Sequence, residues 1–292
     1  MKEYKVEGHV SSYLPKEKKW KLVWSDEFDG TKLDETKWNF RKYFWGRLSP
    51  TFTEEGVTLD NESNLHIGLV KKGDDYYSAH LQTGSLTFDM PKDQQGFWPF
   101  GKYQPAKFMH KYGYYEIRCK LPKNDGWHAA FWLQAPGIGA HPDARYGGVE
   151  CDIMENYRQA TEGVIICGNG YDGYGKDSKW AGHFSFPYVE TEDGWHTYAV
   201  DWTKEGYYFY ADGKFIGRQG LPECPVSEVD QFILVSTECH GYNRVFANES
   251  RSASLWGEVS EKWNGKPVES LKKAVLPDEF VVDYVRVFDE IE

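Results

Sequence analysis

GGVECDIMENYR, residues 147–158, sets Glu150, Asp152 and Glu155 within six positions of a stretch that otherwise reads as a buried strand. Burying a carboxylate without a partner is costly, or shifts its pKa until it neutralises. In a regular strand, residues 150 and 152 point one way and residue 155 the other. One extra residue, a β-bulge near Ile153 or Met154, returns Glu155 to the first face and lines up all three acids. Glu150 and Glu155 then lie roughly 13 Å apart at Cα. Glutamate side chains leaning inward close that to about 5–5.5 Å, the carboxyl separation used in retaining glycoside cleavage. Like charges so near cannot all ionise freely, so at least one proton is held to higher pH. A nucleophilic carboxylate beside a protonated acid is the division of labour that such cleavage needs.

Two other readings compete. The acids could form the solvent face of an edge strand, but Val149, Cys151, Ile153 and Met154 imply a packed back. They could ligate calcium, but a strand splays its ligands along a line whereas calcium loops wrap around the ion.

Outward from this stretch the dominant pattern is period-two alternation, the mark of strands. YYEIRCKLP sets Tyr115, Ile117, Cys119 and Leu121 against Glu116, Arg118 and Lys120. NLHIGLV alternates Leu65, Ile67 and Leu69 with polar or small residues. HTYAVDW leads into YYFYADGKFIGR, where Asp212-Gly213 between two apolar runs predicts a tight hairpin. FVVDYVRVFD reads as a last strand, and KKGDD and KNDG as turns. SLKKAVL, ahead of Pro277, is the one short helix expected. With no composition break and no repeat, the chain reads as one all-β domain of roughly 14 strands in two packed antiparallel sheets.

The 292 residues suffice for such a domain, and 40% hydrophobic content supports a core. Aromatic residues reach 17%, a surplus that suits a sugar groove as well as a core. The net charge of −11 without a basic stripe excludes nucleic acid and anionic membrane as expected partners. Five cysteines without framework spacing predict free thiols. The N-terminus lacks the apolar core of a signal peptide, and no run is long enough to span a bilayer. A cytoplasmic protein, or a secreted one with its leader removed, is expected.

These segments together resemble glycoside hydrolase family 16. WKLVWSDEFDGTKLDETKW is similar to that family's opening segment. KYGYYEIRCKLPKNDGWHAAFWLQ resembles the strands before its catalytic strand, ECDIME its bulged ExDxxE signature, WHTYAVDWTKEGYYFYADGK the later hairpin, and FVVDYVRVFD the final strand. The resemblance implies a β-jelly-roll sandwich of two curved antiparallel sheets with a concave substrate cleft, spanning 1–292 with 1–19 as an N-terminal extension. It implies a retaining, endo-acting β-glycosidase with Glu150 as nucleophile, Glu155 as general acid/base and Asp152 tuning the pair. No cofactor is required, though a structural calcium on the convex side, held by Asp283, is implied. The partner is a β-linked poly- or oligosaccharide, and a monomer is expected. A transglycosylase and a non-catalytic carbohydrate-binding protein share the fold; the latter typically lacks one catalytic glutamate, whereas all three acids are present here.

Substrate contacts follow from chemistry. Aromatic rings pack on the C–H faces of sugars, and polar groups read the hydroxyls. Trp132 matches the family position beside the cleaved bond; Trp127, Trp45, Arg47, Asn169 and Glu238 are further candidates. His128, His196 and His240, without metal-ligand company, are expected to be structural. GVIICGNGYDGYG and ILVSTECHGYNR depart from the pattern of β-1,3-glucan cleavers, which carry a histidine soon after the acidic strand. FWGRLSPTF is similar to a segment of galactan cleavers, so glucan and galactan both remain open. APGIGAHPDARYGG, between FWLQ and the acidic strand, is expected to reshape one end of the cleft.

Overall fold

The computed structural model describes residues 1–42, 51–84, 106–139, 141–156, 164–173, 178–242 and 265–292, with the backbone of 43–44 and 47–48. In chain order the first strands are β1 (Lys2–Tyr4), β2 (Ser12–Leu14), β3 (Lys19–Asp26), β4 (Asn39–Phe40), β5 (Tyr43–Phe44), β6 (Arg47–Leu48) and β7 (Val57–Leu59). Then come β8 (Leu65–Gly68), β9 (Val70–Lys72), β10 (Asp75–Tyr77), β11 (His80–Gln82), β12 (Gly113–Lys120), β13 (Trp127–Gln134) and β14 (Val149–Asn156). The last are β15 (Val164–Tyr171), β16 (Lys179–Pro187), β17 (His196–Trp202), β18 (Tyr207–Ala211), β19 (Lys214–Gln219), β20 (Phe232–Cys239) and β21 (Glu279–Ile291).

A seven-stranded antiparallel sheet runs β16-β15-β14-β13-β20-β11-β4. An eight-stranded one runs β19-β18-β17-β12-β21-β8-β7, with β3 also on β21. These hold fifteen strands, close to the number that the alternation predicts. The other six pair as ribbons of two or three residues, too short for an alternating pattern to register.

The two sheets pack face to face through the residues that alternation assigns inward. Tyr115, Ile117 and Cys119 of β12, and Leu65 and Ile67 of β8, meet Ala129, Phe131 and Leu133 of β13 and Val149 and Cys151 of β14 in one core. Each large aliphatic side chain buried there contributes about 1.5–3 kcal/mol of transfer free energy. The predicted hairpin joins β18 to β19. Ala211 pairs with Lys214, and Asp212 and Gly213 both have positive φ (48° and 70°), as a type I′ turn requires. The Asp212 carboxylate also accepts from the Thr197 amide at 2.9 Å and lies 2.9 Å from His196 Nδ1, fixing the turn to β17. His196 is thus structural, as expected. The helix before Pro277 is a single turn, Glu269–Lys272. All five cysteines are buried free thiols.

Residues 1–19 are packed against the sandwich. Leu14 is buried with Tyr114, Ala199 and Phe288 on the outer side of the eight-stranded sheet, and Tyr4 meets Phe288 edge to face at 5.0 Å. Among the described residues no helix is long and apolar enough to cross a membrane.

Candidate active site

The expected bulge is present in β14. On the β13 side Ala130 pairs with Glu155, Phe131 with Met154, Trp132 with Asp152 and Gln134 with Glu150, so Ile153 is the extra residue. On the β15 side the register slips between the same two acids: Asp152 faces Gly168 and Glu155 faces Ile166. Glu150, Asp152 and Glu155 therefore share one face, opposite Gln134, Trp132 and Ala130. Val149, Cys151, Ile153 and Met154 all point into the core. Two successive apolar side chains can be buried there because the bulge aims both inward.

The acids differ in exposure. Glu150 and Glu155 are half-buried, whereas Asp152 between them is buried and its Oδ2 has no hydrogen-bond partner. Burial, followed by the charges of Glu155 and Glu150, pushes the Asp152 carboxyl well above the usual carboxylate range. Burial and both acidic neighbours thus favour the protonated form of the middle acid.

The floor around the acids is aromatic and polar. Trp132 is nearly buried, its Nε1 donating to Ser236 Oγ at 3.0 Å. Ile138, from the segment ahead of the acidic strand, packs with Trp132, Ala130, Phe232 and Leu234, so that insertion does abut the acid-bearing face. Arg41, buried, donates to Gln134 Oε1 at 3.2 Å, and its guanidinium carbon lies 6.0 Å from the Trp132 ring centre.

Glu238 pairs across β13 with His128 on this face, and its Oε1 lies 3.1 Å from His80 Nε2. Burial acts to raise its pKa, but the His80 hydrogen bond and the neighbouring His128, His80 and His240 outweigh it and hold Glu238 at about 2. His80 stacks on Phe52 (4.1 Å) and meets Trp132 edge-on (6.4 Å). His128 Nδ1 lies 3.1 Å from His240 Nε2, so these two are part of the polar floor beside Glu238 and not remote scaffold. Burial pushes His80, His128 and His240 below the ordinary imidazole value, His240 to about 3. Arg41, Gln134 and His80 gave no motif in the sequence. The His80–Leu81–Gln82 alternation assigns His80 a face but not its neighbours.

Other candidates fall elsewhere. Trp127 is five residues from Trp132, an odd step, and so points away from the acids. It is fully buried with Leu69, Tyr76 and Leu271, and its Nε1 donates to Asp278 Oδ2 at 3.0 Å. Asn169 lies opposite core-facing Cys151, and its Nδ2 donates to Gln219 Oε1 of the other sheet at 2.8 Å. It ties the two sheets together and does not line the acid-bearing face. Trp45 and the Arg47 side chain lie outside the described residues. Asp283 accepts from Arg118 Nη1 at 2.5 Å, and that guanidinium lies 4.4 Å from the Trp195 ring centre. A fixed cation already faces this carboxylate, so Asp283 does not fit a calcium ligand. Among the described residues no group of three or more acidic, histidine or cysteine side chains could hold a metal ion.

A two-sheet β-sandwich with three acids on a bulged strand, above an aromatic and polar floor, defines a carbohydrate-active class of protein. The model of the glycosyl hydrolases family 16 matches residues 48–223, and the chain belongs to that family. A glucan endo-1,3-beta-glucosidase A1 of Niallia circulans is 27% identical over 66% of this chain, which spans 28% of that relative's length. Beta-porphyranase B of Zobellia galactanivorans is 26% identical, over 77% of this chain and 76% of the relative. The catalytic domain of an endo-1,3-beta-glucanase (laminarinase) from Thermotoga petrophila superposes with a TM-score of 0.63 at 22% identity, covering 94% of this chain and all of that one. That likeness extends to the jelly-roll fold.

Proposed function

We propose that this chain is an endo-acting β-glycosidase that hydrolyses internal bonds of a β-glucan or β-galactan by double displacement with retention. The observation that carries the reading is the bulge at Ile153, which returns Glu155 to the face of Glu150 and Asp152. Glu150 attacks the anomeric carbon and forms a glycosyl-enzyme, while Glu155 protonates the departing glycosidic oxygen. Glu155 then takes a proton from water, which attacks the same carbon and releases Glu150. Asp152, its protonated form favoured by burial and by both neighbours, adds no further charge between the ionised nucleophile Glu150 and the protonated acid Glu155. Trp132, anchored by Ser236, supplies an apolar wall for a sugar ring. Glu238, ionised beside His80, reads sugar hydroxyls. The endo-acting name of the Niallia circulans relative supports internal cleavage; a glucan-named and a porphyran-named relative leave the backbone sugar to experiment.

The test is a panel of laminarin, mixed-linkage glucan, agarose and porphyran, given to wild type and Glu150→Gln and read by product mass. A ladder of oligosaccharides from one polymer, reduced by at least roughly 10⁴-fold in Glu150→Gln, is expected. Equal activity of the two proteins would overturn the assignment of Glu150.

A further inference from the structure

The strands beyond the acids carry a second aromatic surface on the same face. Across the sheet, Glu150 pairs with Gly170 and Gly170 with Trp180; Asp152 pairs with Gly168 and Gly168 with His183. The two β15 positions flanking the acids are thus glycines. At Gly170 a Cβ would lie 3.1 Å from each of Cη2, Cζ2 and Cζ3 of Trp180. Those three contiguous atoms are equidistant from one point only if it lies over the centre of the six-membered ring. The indole therefore lies flat on the Gly170 backbone, one face down and leaning towards Glu150. It is still 46% exposed, an unusual state for so large an apolar group. His183 sits beside it, ring centres 5.1 Å apart.

A tryptophan laid flat on a sheet, with its free face towards solvent, offers the shape and chemistry that the C–H face of a pyranose ring requires. Trp180 lies two strands from the acids, and Trp132 lies one strand away on the other side. The span from β13 to β16 is three inter-strand spacings, roughly 14 Å. A glycan crossing the strands would touch Trp132, pass the acids and reach Trp180. We propose that Trp180, with His183 beside it and Gly170 beneath it, is a binding platform for an uncharged pyranose ring of the chain, on the opposite side of the cleaved bond from Trp132. This inference rests on the proposed glycosidase reading. Among the described residues the nearest charge is paired, which supports a neutral ring: the ammonium of Lys179 is 2.7 Å from the Asp172 carboxylate. Burial also pushes the His183 imidazole below its ordinary value, so it is neutral at pH 7.

Isothermal titration of Glu150→Gln and of Glu150→Gln/Trp180→Ala with gluco- and galacto-oligosaccharides of increasing length tests this, alongside turnover by wild type, Trp180→Ala and Trp180→Phe. Long oligosaccharides are expected to bind roughly ten-fold more weakly without the indole, while those too short to reach it bind equally. Trp180→Ala should raise KM more than it lowers kcat and shift the cleavage position, and Trp180→Phe should recover most of the loss. Equal binding at every length, with wild-type turnover intact, overturns the platform and leaves the glycosidase reading standing. Absence of turnover by wild type on every oligosaccharide overturns that reading, and the platform with it.

Discussion

Asp152 and Glu116 are both buried carboxylates on the outer faces of the two sheets, and their surroundings are opposite. Glu116, on β12, accepts a hydrogen bond from the Tyr284 hydroxyl, and the Arg286 guanidinium lies flat on the Tyr284 ring with its carbon 3.6 Å from the ring centre. Arg286 in turn donates from Nε and Nη2 to Glu27, at 3.0 and 2.7 Å, and from Nη1 to Val10 O and Ser12 Oγ at 2.8 and 2.9 Å. Burial raises Glu116 to about 7 in spite of the Tyr284 hydrogen bond and the Arg286 charge. The N-terminal segment closes over this network, so its charges serve to fasten the extension to the sheet. Asp152 instead has two acids as neighbours on its strand and a bare Oδ2. One face uses buried charge to close itself. The other crowds three acids onto one strand face at a cost in stability, and carboxylates so perturbed by burial and like neighbours mark functional sites.

Removing the closing cation should have the largest effect on stability. Arg286→Ala removes the guanidinium that binds Glu27 and whose charge faces buried Glu116, and is expected to destabilise the fold by about 3–5 kcal/mol, read by denaturant unfolding. Little change would mean that the N-terminal segment is held by its apolar contacts alone. Asp152→Asn should go the other way. Asp152 has a folded pKa above its unfolded one, so the stability tied to its neutral form is full below about 3.8 and lost as pH rises through the folded value. An amide is neutral throughout. The variant is expected to gain about 1 kcal/mol at pH 7, a few degrees in Tm, while turnover falls roughly 100-fold. A loss of both would mean that Asp152 is a structural partner.

The smallest effect is the acid side of the stability curve. His80, His128 and His240 have folded pKa values below 6.5, so their contribution is full above about 6.5 and fades as pH falls, for His240 towards about 3. Thermal unfolding should therefore occur at progressively lower temperature from pH 6.5 downwards, and His240→Asn should flatten that slope. An unchanged slope would remove His240 as a contributor.

Much of this was legible in residue order. The alternation in YYEIRCKLP and NLHIGLV assigned faces correctly, Asp212-Gly213 specified its turn, and the odd step from Asp152 to Glu155 demanded a bulge. The same parity argument separates Trp127 from Trp132, since an odd step without a bulge puts them on opposite faces. Asn169 was not legible, because its face depends on its register against Cys151, which no local pattern encodes. The His80–Glu238 pair joins residues 158 positions apart through β11 and β20. Contacts of that kind are set by sheet order alone.

The most direct test of the account is to trap the glycosyl-enzyme. A fluorinated glycoside with a good leaving group, matched to whichever polymer is cleaved, should slow the second displacement and leave one sugar attached to the protein. Peptide mapping by mass spectrometry is expected to find it on Glu150, with hydrolysis products of the unmodified substrate retaining the β configuration. Label on Glu155, or products of inverted configuration, would contradict the double displacement proposed for this face.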